Sequence, residues 1–401
     1  MTEHRLRICI LGGGFGGLYT ALRLSQLPWE RHQTPEIILV DQQDRFLFLP
    51  FLYELITEEM QTWEIAPPFE ELLSETGIRF HQGQVTAIDI DHKQIHITAS
   101  NQADYSLSYD QLVIAMGGKN PVPTVPGAKD YALTFRTLAD AYRLKERLRL
   151  LEQSESEKIR VVIVGGGYSG IELACKISDR LGERGRIRVI ERSDTILSQS
   201  PEYNRETAQK ALESRGIWLD LETDVETVKA ASLDLRYKGQ IDTIPVDLVL
   251  WTVGNQALEL IRDLPLAHHH SGLLNTNVYL QVTDHPEIYS LGDAAYCEDT
   301  NGQRVPATAQ VAFQQSDYCA WNIWATLTHR PLLPFRYQAL GEMLSLGRED
   351  ATLSGLGLKL TGPAAAIARR LVYLYRLPTW QHQLTVGFNW LAQPLLTLLK
   401  S

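Results

Sequence analysis

LGGGFGGLYTA, Leu11 to Ala21, returns about 150 residues later as VGGGYSGIELA, Val164 to Ala174. Each copy follows a short apolar run, Leu6 to Leu11 and Ile159 to Val164, of the β-rich kind that forms buried parallel strands. The glycines fall at Gly12-x-Gly14-x-x-Gly17 and Gly165-x-Gly167-x-x-Gly170. In such a turn the first glycine allows the bend, the second lets a pyrophosphate reach the backbone, and the third lets helix pack on strand. The helix opening there offers unpaired N–H groups and partial positive charge to a diphosphate, so no lysine is needed. A second apolar strand follows each helix and ends on an acid, Asp41 or Glu191, placed to accept hydrogen bonds from a ribose. A lone G-x-G-x-x-G is weak evidence, because loop glycines match it by chance. Strand, glycines, helix, strand and acid in that order, twice, are strong evidence.

The expected fold is therefore α/β, with two Rossmann-like dinucleotide-binding domains in 401 residues, a length that suits two or three domains. The net charge of −10 supplies no basic field and argues against a nucleic acid partner. The cysteines at 9, 175, 297 and 319 form no C-x-x-C pair, zinc spacing or disulfide framework. Cys9 in a strand and Cys175 in a helix read as small buried hydrophobes, which suits a reducing compartment. The first strand starts within a few residues of Met1, so no signal peptide is expected. His268-His269-His270 reads as a solvated loop, since consecutive histidines cannot all face one ion; no metal site is expected.

Along the chain, residues 1–120 read as the first part of one dinucleotide domain. It includes a hairpin, Gln84 to Ile90 and Gln94 to Ile97, and a buried strand from Leu112 that ends on Gly117-Gly118. Pro121 to Pro126 reads as a linker, and a charged helix over about 137–153 leads to the second cradle. Residues 137–265 form the second domain, closed by an apolar strand from Val246 to Gly254. Residues 266–335 return to the first, with Ile288 to Asp293 and a helix over about 308–328, and residues 336–401 differ in character.

Two cradles, strands closing on Ala115-Met116-Gly117-Gly118 and Thr252-Val253-Gly254, and the late Leu291-Gly292-Asp293-Ala294 together resemble the two-dinucleotide flavoprotein disulfide reductase superfamily, over roughly residues 5 to 330. The resemblance implies that the first cradle holds FAD, contacted by Gly12, Gly14, Phe15, Gly17, Asp41, Val85, Ala115, Gly117, Asp293, Ala309 and Gln310. It implies that the second holds NADH or NADPH, contacted by Gly165, Gly167, Tyr168, Gly170, Glu172, Glu191 and Gly254. Disulfide reductases need a redox C-x-x-x-x-C just after the first cradle, and this helix has no cysteine. Sulfide:quinone oxidoreductases need two cysteines beside the flavin, for which Cys297 and Cys319 are the candidates, but they usually lack a complete second cradle. Type II NAD(P)H:quinone oxidoreductases fit best. Their quinone motif A-Q-x-A-x-Q-Q stands here as Ala309-Gln310-Val311-Ala312-Phe313-Gln314-Gln315, their F-x-P-x-L-Y as Phe48 to Tyr53, and their G-x-E as Gly170-Ile171-Glu172.

In that branch two electrons pass from NAD(P)H through flavin to a membrane quinone, with no protein nucleophile and no proton pumping. Gln310 and Gln314 lie four residues apart on one helix face, and neutral amides suit a quinone carbonyl; taken alone, both read as plain helix surface or as a helix hydrogen bond. Glu172 is assigned a tuning or proton-relay role, against the plainer reading of a helix-face carboxylate. Glu191 favours NADH by repelling a 2′-phosphate, while neighbouring Arg192 keeps NADPH open. Phe46 to Thr57 and Glu64 to Glu70 look most like the cyanobacterial and plastid branch, which includes enzymes reducing demethylphylloquinone on the way to vitamin K1. A respiratory role with plastoquinone or menaquinone, and a redox-sensing flavoprotein used as a binding module, are the alternatives.

The tail carries two helical apolar stripes: Leu360, Ala364, Ile367, Leu371 and Leu374, then Leu384, Phe388, Leu391, Leu395 and Leu398. Arg369, Arg370 and Arg376 flank the first, and Trp380 and Trp390 sit on the second. Leu377 to Leu399 has no charged side chain, but Gln381, His382, Gln383, Asn389, Gln393 and Pro394 interrupt it, which favours an in-plane amphipathic anchor over a span. Core helices or a homodimer interface are the competing readings. The resemblance implies a peripheral protein on the cytoplasmic-side face of a membrane, thylakoid or plasma membrane if the source is cyanobacterial.

Overall fold

A computed structural model describes residues 5–398 apart from 31, 33, 100–102 and 122–123, and for 393–398 the backbone alone. Val122 and Pro123 of the expected linker, the side chains of Leu395 and Leu398, and Leu399 thus lie outside the described residues. Both sequence repeats fold as strand–helix–strand units. In the first, β1 (Arg7–Leu11), α1 (Phe15–Gln26), β2 (Glu36–Asp41) and a later strand, β3 (Gln111–Ile114), place β1 between β3 and β2, with Leu11 opposite both Ile114 and Val40. In the second, β4 (Ile159–Val164), α2 (Tyr168–Leu181), β5 (Gly185–Ile190) and β6 (Leu248–Trp251) repeat this register, with Val164 opposite Trp251 and Ile190. All these pairings are parallel. β1, β3 and β4 are almost wholly buried, as expected of strands covered on both faces.

The chain divides into two compact units, one of Met1–Phe46, Ala66–Lys119 and Asn255–Gln338, the other of Leu47–Ile65, Asn120–Gly254 and Ala339–Ser401. The first unit is completed by β7 (His285–Ser290) and α3 (Ala309–Leu327). Its six-stranded sheet runs Gln281–Val282, β7, β3, β1, β2, Arg79–Gln82. An antiparallel meander, Gln84–Asp89, Gln94–Thr98 and Tyr105–Ser108, carries the expected hairpin. α1 and α3 pack together, with the Tyr19 and Phe313 rings edge-on at 4.7 Å and Arg23 paired with Asp317 at 2.6 Å.

In the second unit a parallel sheet runs Trp218–Asp220, β5, β4, β6, Ala132–Thr134. The charged helix is Leu138–Glu152, started by a capping box between Thr137 and Asp140. The tail is not a separate region: it belongs to this unit, as does Leu47–Ile65, which the sequence reading had assigned to the first. A three-stranded sheet, Glu342–Ser345, Ala351–Gly355 and Leu358–Thr361, precedes the helices. Leu360 is therefore a strand residue, and the first tail helix, α4 (Gly362–Arg376), starts after it; α5 (Trp380–Leu398) follows.

Of the polar residues that interrupt the α5 pattern, His382, Gln383 and Asn389 turn toward the unit's own body. His382 Nε2 meets the Glu64 carbonyl at 2.8 Å, and Asn389 Nδ2 and Trp390 Nε1 both donate to Glu64 Oε1, at 3.0 and 2.9 Å. Gln383 Nε2 donates to the carbonyls of Tyr375 and Leu377, which ties the turn between the helices. The opposite faces are open: Ile367, Leu371, Val372 and Tyr375 on α4, and Trp380, Leu384, Phe388 and Leu391 on α5, are exposed. Among the described residues, no helix is long and apolar enough to cross a membrane.

Candidate functional site

The two cradles can be probed glycine by glycine by asking what a methyl would meet. At Gly12, where φ is +97°, it would meet the Ala115 carbonyl oxygen at 2.4 Å; at Gly17 it would meet the Gly12 carbonyl oxygen at 1.8 Å. At Gly165, φ +112°, it would meet Thr252 Oγ1 at 2.7 Å, and at Gly170 the Gly165 carbonyl oxygen at 1.8 Å. At Gly14 and Gly167 it would meet no protein atom within 4 Å. The outer glycines thus serve the chain's own packing, and the middle one opens each helix N-terminus outward. That is the space a pyrophosphate requires, so the residues fit a dinucleotide at both places.

Each terminal acid also braces its own loop. Asp41 accepts from the Gly13 N–H at 2.6 Å and the Gln43 N–H at 2.8 Å, and Glu191 accepts from Gly166 at 2.7 Å and Ser193 at 2.8 Å. Two carboxylate oxygens accept about four bonds in all, so room remains for ribose hydroxyls. Burial pushes the Asp41 carboxyl up despite these bonds. At Glu191 burial pushes the same way, but the Ser193 and Gly166 N–H groups and Arg192 outweigh it and hold the carboxyl below its usual range. This bracing role had no signal in the sequence beyond the acid itself.

The remaining cofactor candidates divide. Phe15 lies edge-on to Phe46, Ala115 braces Gly12, and Gly117, φ +71°, faces open space. Asp293 accepts from Asn255 Nδ2 at 2.9 Å, and Ala309 is the first residue of α3, behind the Thr308 cap. Val85 has its side chain in the hydrophobic core, which leaves its backbone as the part that could meet a ligand. Tyr168 donates its hydroxyl to Glu342 at 2.7 Å, and Gly254, φ +89°, packs against Pro121. His268 and His269 are engaged locally, with the Ile261 carbonyl and with Ser271. Cys297 and Cys319 are buried, and burial raises both thiols, Cys297 to about 11, which suits neither to nucleophilic work.

The glutamines of α3 have three different tasks. Gln310 Oε1 accepts from the Tyr337 hydroxyl at 2.8 Å. Gln314 does not present its amide to a slot beside Gln310: it accepts from the Gln338 N–H at 3.0 Å and donates to the Gln338 carbonyl at 2.8 Å. Gln315, which sequence reasoning passed over, is buried and accepts from the Gly292 N–H at 2.8 Å, so it holds the turn that presents Asp293. Only its place beside Gln314 in the motif could have singled it out.

In the second unit, Glu172 on α2 is buried and accepts from the Ser345 N–H at 2.9 Å. Arg369 of α4 lies 3.7 Å from it and bonds Glu54 at 2.5 Å. Lys176, one turn along α2, pairs with Glu59 and Glu54, and Arg370 pairs with Glu59. Arg369 is thus no flank of a surface stripe but a buried counter-charge. Its isolated charge would be costly in the core, and the Glu54 carboxylate makes it tolerable.

Burial pushes the Glu172 carboxyl up to about 7, against the pull of Arg369 and the Ser345 N–H. A carboxyl whose folded pKa exceeds its unfolded value of 4.5 supports the fold fully below that value, and loses that support as pH rises through about 7. Glu172→Gln keeps an acceptor for Ser345 but cannot ionise. Against wild type it is expected to be near-neutral at pH 5 and to gain stability at pH 8, by up to about 3 kcal/mol. Urea unfolding at the two pH values measures this; an equal difference at both would refute it.

A match to the pyridine nucleotide-disulphide oxidoreductase family covers residues 6–316. The chain is 64% identical to the demethylphylloquinone reductase NdbB of Synechocystis over 100% of its own length and 99% of the relative's. It is 44% identical to the alternative NAD(P)H-ubiquinone oxidoreductase C1, chloroplastic/mitochondrial, of Arabidopsis thaliana, over 98% of this chain and 81% of that one. Among solved structures, NDH2 of Plasmodium falciparum in complex with NADH matches with a TM-score of 0.85 over 97% of this chain and 98% of that one, at 17% identity, which speaks to the fold alone. The chain belongs to the pyridine nucleotide-disulphide oxidoreductase family, and within it stands with the type II quinone reductases.

Proposed function

We propose that this protein is an FAD-dependent NAD(P)H:quinone oxidoreductase whose quinone is a demethylphylloquinone-type naphthoquinone. The observation that carries the reading is the doubled cradle, with Gly14 and Gly167 alike facing open space at a helix N-terminus. Gly12, Gly14, Gly17, Asp41 and Asp293 hold FAD, and Gly165, Gly167, Gly170 and Glu191 hold NADH or NADPH. When bound, the flavin supplies two-electron transfer from nicotinamide to quinone. The chain's own residues bind, orient and supply protons. Gln310 would donate to a quinone carbonyl, the N-terminus of α3 would offer its dipole to the bound flavin, and Glu172, poised near neutrality, would tune charge or relay a proton. The naphthoquinone assignment follows the 64% identical relative. Steady-state NADH and NADPH oxidation by the purified protein against naphthoquinones and benzoquinones tests it; turnover with none of them would leave the redox-sensing reading.

The exposed faces of α4 and α5 lie on a membrane surface where such quinones reside. Their inward-turned polar residues and outward Trp380, Leu384, Phe388 and Leu391 support an in-plane helix. Leu384→Glu with Phe388→Glu is expected to abolish co-flotation with liposomes while flavin reduction by NADH is retained. If the pair instead converts a dimer to a monomer and never affects flotation, a second copy of the chain covers this face.

A further inference from the structure

An amphipathic helix packed on a protein body ordinarily turns its apolar stripe inward, because that removes the most apolar area from water. α5 does the reverse. At about 100° per residue, Trp380, Leu384, Phe388 and Leu391 fall on one side of the helix, and His382, Val386 and Asn389 on the opposite side. The side with four large apolar residues is exposed, and the other, where Val386 is fully buried and the polar groups find their partners, faces the body. Some interaction must hold α5 in this inverted roll.

One carboxylate is placed to do so. Glu64 lies on a single helical turn, Thr62–Ile65, tied down where the Phe48 N–H donates to the Ile65 carbonyl at 2.8 Å, and its side chain is buried. Its Oε2 accepts from the Gln61 N–H at 2.6 Å, and its Oε1 accepts from Asn389 Nδ2 at 3.0 Å and Trp390 Nε1 at 2.9 Å. An indole N–H can only donate and a side-chain amide nitrogen likewise, so the sense of both bonds from α5 is fixed. Rolling α5 to bury its apolar stripe would strip a buried carboxylate of both, and a buried acceptor left without donors is far costlier than a bond lost at the surface. We propose that Glu64 is a positioning residue of the docking surface: it locks the roll of α5 and so turns the stripe from Trp380 to Leu391 outward to lipid. This rests on the membrane reading given above.

The test uses the full-length, flavin-loaded protein, whose four native cysteines are buried and give little background to a thiol reagent. Leu391→Cys reports the outward side of α5 and Val386→Cys the inward side. Fluorescein maleimide is expected to modify the first at least about tenfold faster than the second. Glu64→Leu removes the acceptor and is expected to shrink that ratio below about threefold, and to lower co-flotation with vesicles of equal parts phosphatidylglycerol and phosphatidylcholine at least about tenfold. Glu64→Gln keeps one oxygen for Asn389 and Trp390 and is expected to preserve both readouts. Asn389→Leu with Trp390→Phe removes the donors instead and is expected to behave as Glu64→Leu does, which covers the case of Glu64→Leu failing to fold. Flavin content and flavin reduction by NADH check that each variant is intact. An unchanged labelling ratio in the folded variants would overturn the proposal. So would a collapsed ratio with undiminished flotation, because docking would then not depend on the roll. If the chain with Glu64 in place shows the labelling ratio but does not float, the membrane reading itself falls, and the proposal with it.

Discussion

Gly14→Val is expected to fold and to carry no flavin, whereas Gly167→Val is expected to stay yellow and to lose reduction by NADH. Both glycines have extended backbone that valine adopts readily, φ −77° and ψ −163° at Gly14 and φ −80° and ψ −172° at Gly167. A Cβ at either meets no protein atom within 4 Å, so the fold has no reason to reject it. The added isopropyl group instead fills the space that a diphosphate must enter at the helix N-terminus. Losing the close approach and its N–H contacts is worth about 3 kcal/mol or more, at least a hundredfold in affinity. Gly17→Val is the contrasting control: its Cβ would sit 1.8 Å from the Gly12 carbonyl oxygen, and that variant is expected to misfold. Far-UV circular dichroism, flavin absorbance and anaerobic mixing with NADH separate the three. Normal flavin content in Gly14→Val would sink the assignment of the first cradle, and a colourless Gly167→Val would reverse the two.

Arg369→Met carries a large expected stability cost without a steric clash. It removes a fully buried cation from beside Glu54 and Glu172 and leaves Glu54 with Lys176, at 3.8 Å, as its nearest remaining cation. In the folded chain burial pushes the Glu54 carboxyl up, but Arg369 and then Lys176 overcome this and hold it below its usual range. Without Arg369 an ionised carboxylate stays in the core with half its compensation, and breaking such a pair from one side typically costs about 3–5 kcal/mol. Glu54→Gln with Arg369→Met removes both charges and is expected to recover a large part of that loss, because the expense lies in the unpaired charge and not in the missing bond. Urea unfolding of the two single variants and the double at pH 7 measures it. A cost below about 1 kcal/mol for Arg369→Met would mean that the cluster is hydrated and that α4 is held by its apolar contacts alone.

The cradles were legible in the chain because they are local. Strand, turn, helix and acid lie within about thirty residues, the spacing obeys strand and helix geometry, and glycine is demanded by the backbone itself, as at Gly12 and Gly165. The helix over 309–327, the charged helix Leu138–Glu152 and the hairpin after Gln84 were equally local. The sequence by itself therefore determined two dinucleotide folds, their order and the helix that carries the glutamines. What each side chain faces was another matter. Arg369 lies on an amphipathic stripe and looked like a surface cation, yet its partner Glu54 is 315 residues away in sequence. His382 and Asn389 looked like breaks in an apolar run until Glu64, more than 300 residues earlier, turned out to collect them. Gln310 and Gln314 share a helix face, as four-residue spacing requires, but only the strap folded back along that face separated an amide bonded to the Tyr337 hydroxyl from one spent on the backbone of Gln338. Periodicity reports which residues lie on the same side of an element; the partner that meets that side is chosen by chain that folds back from elsewhere, and a buried charge or amide takes its role from that partner.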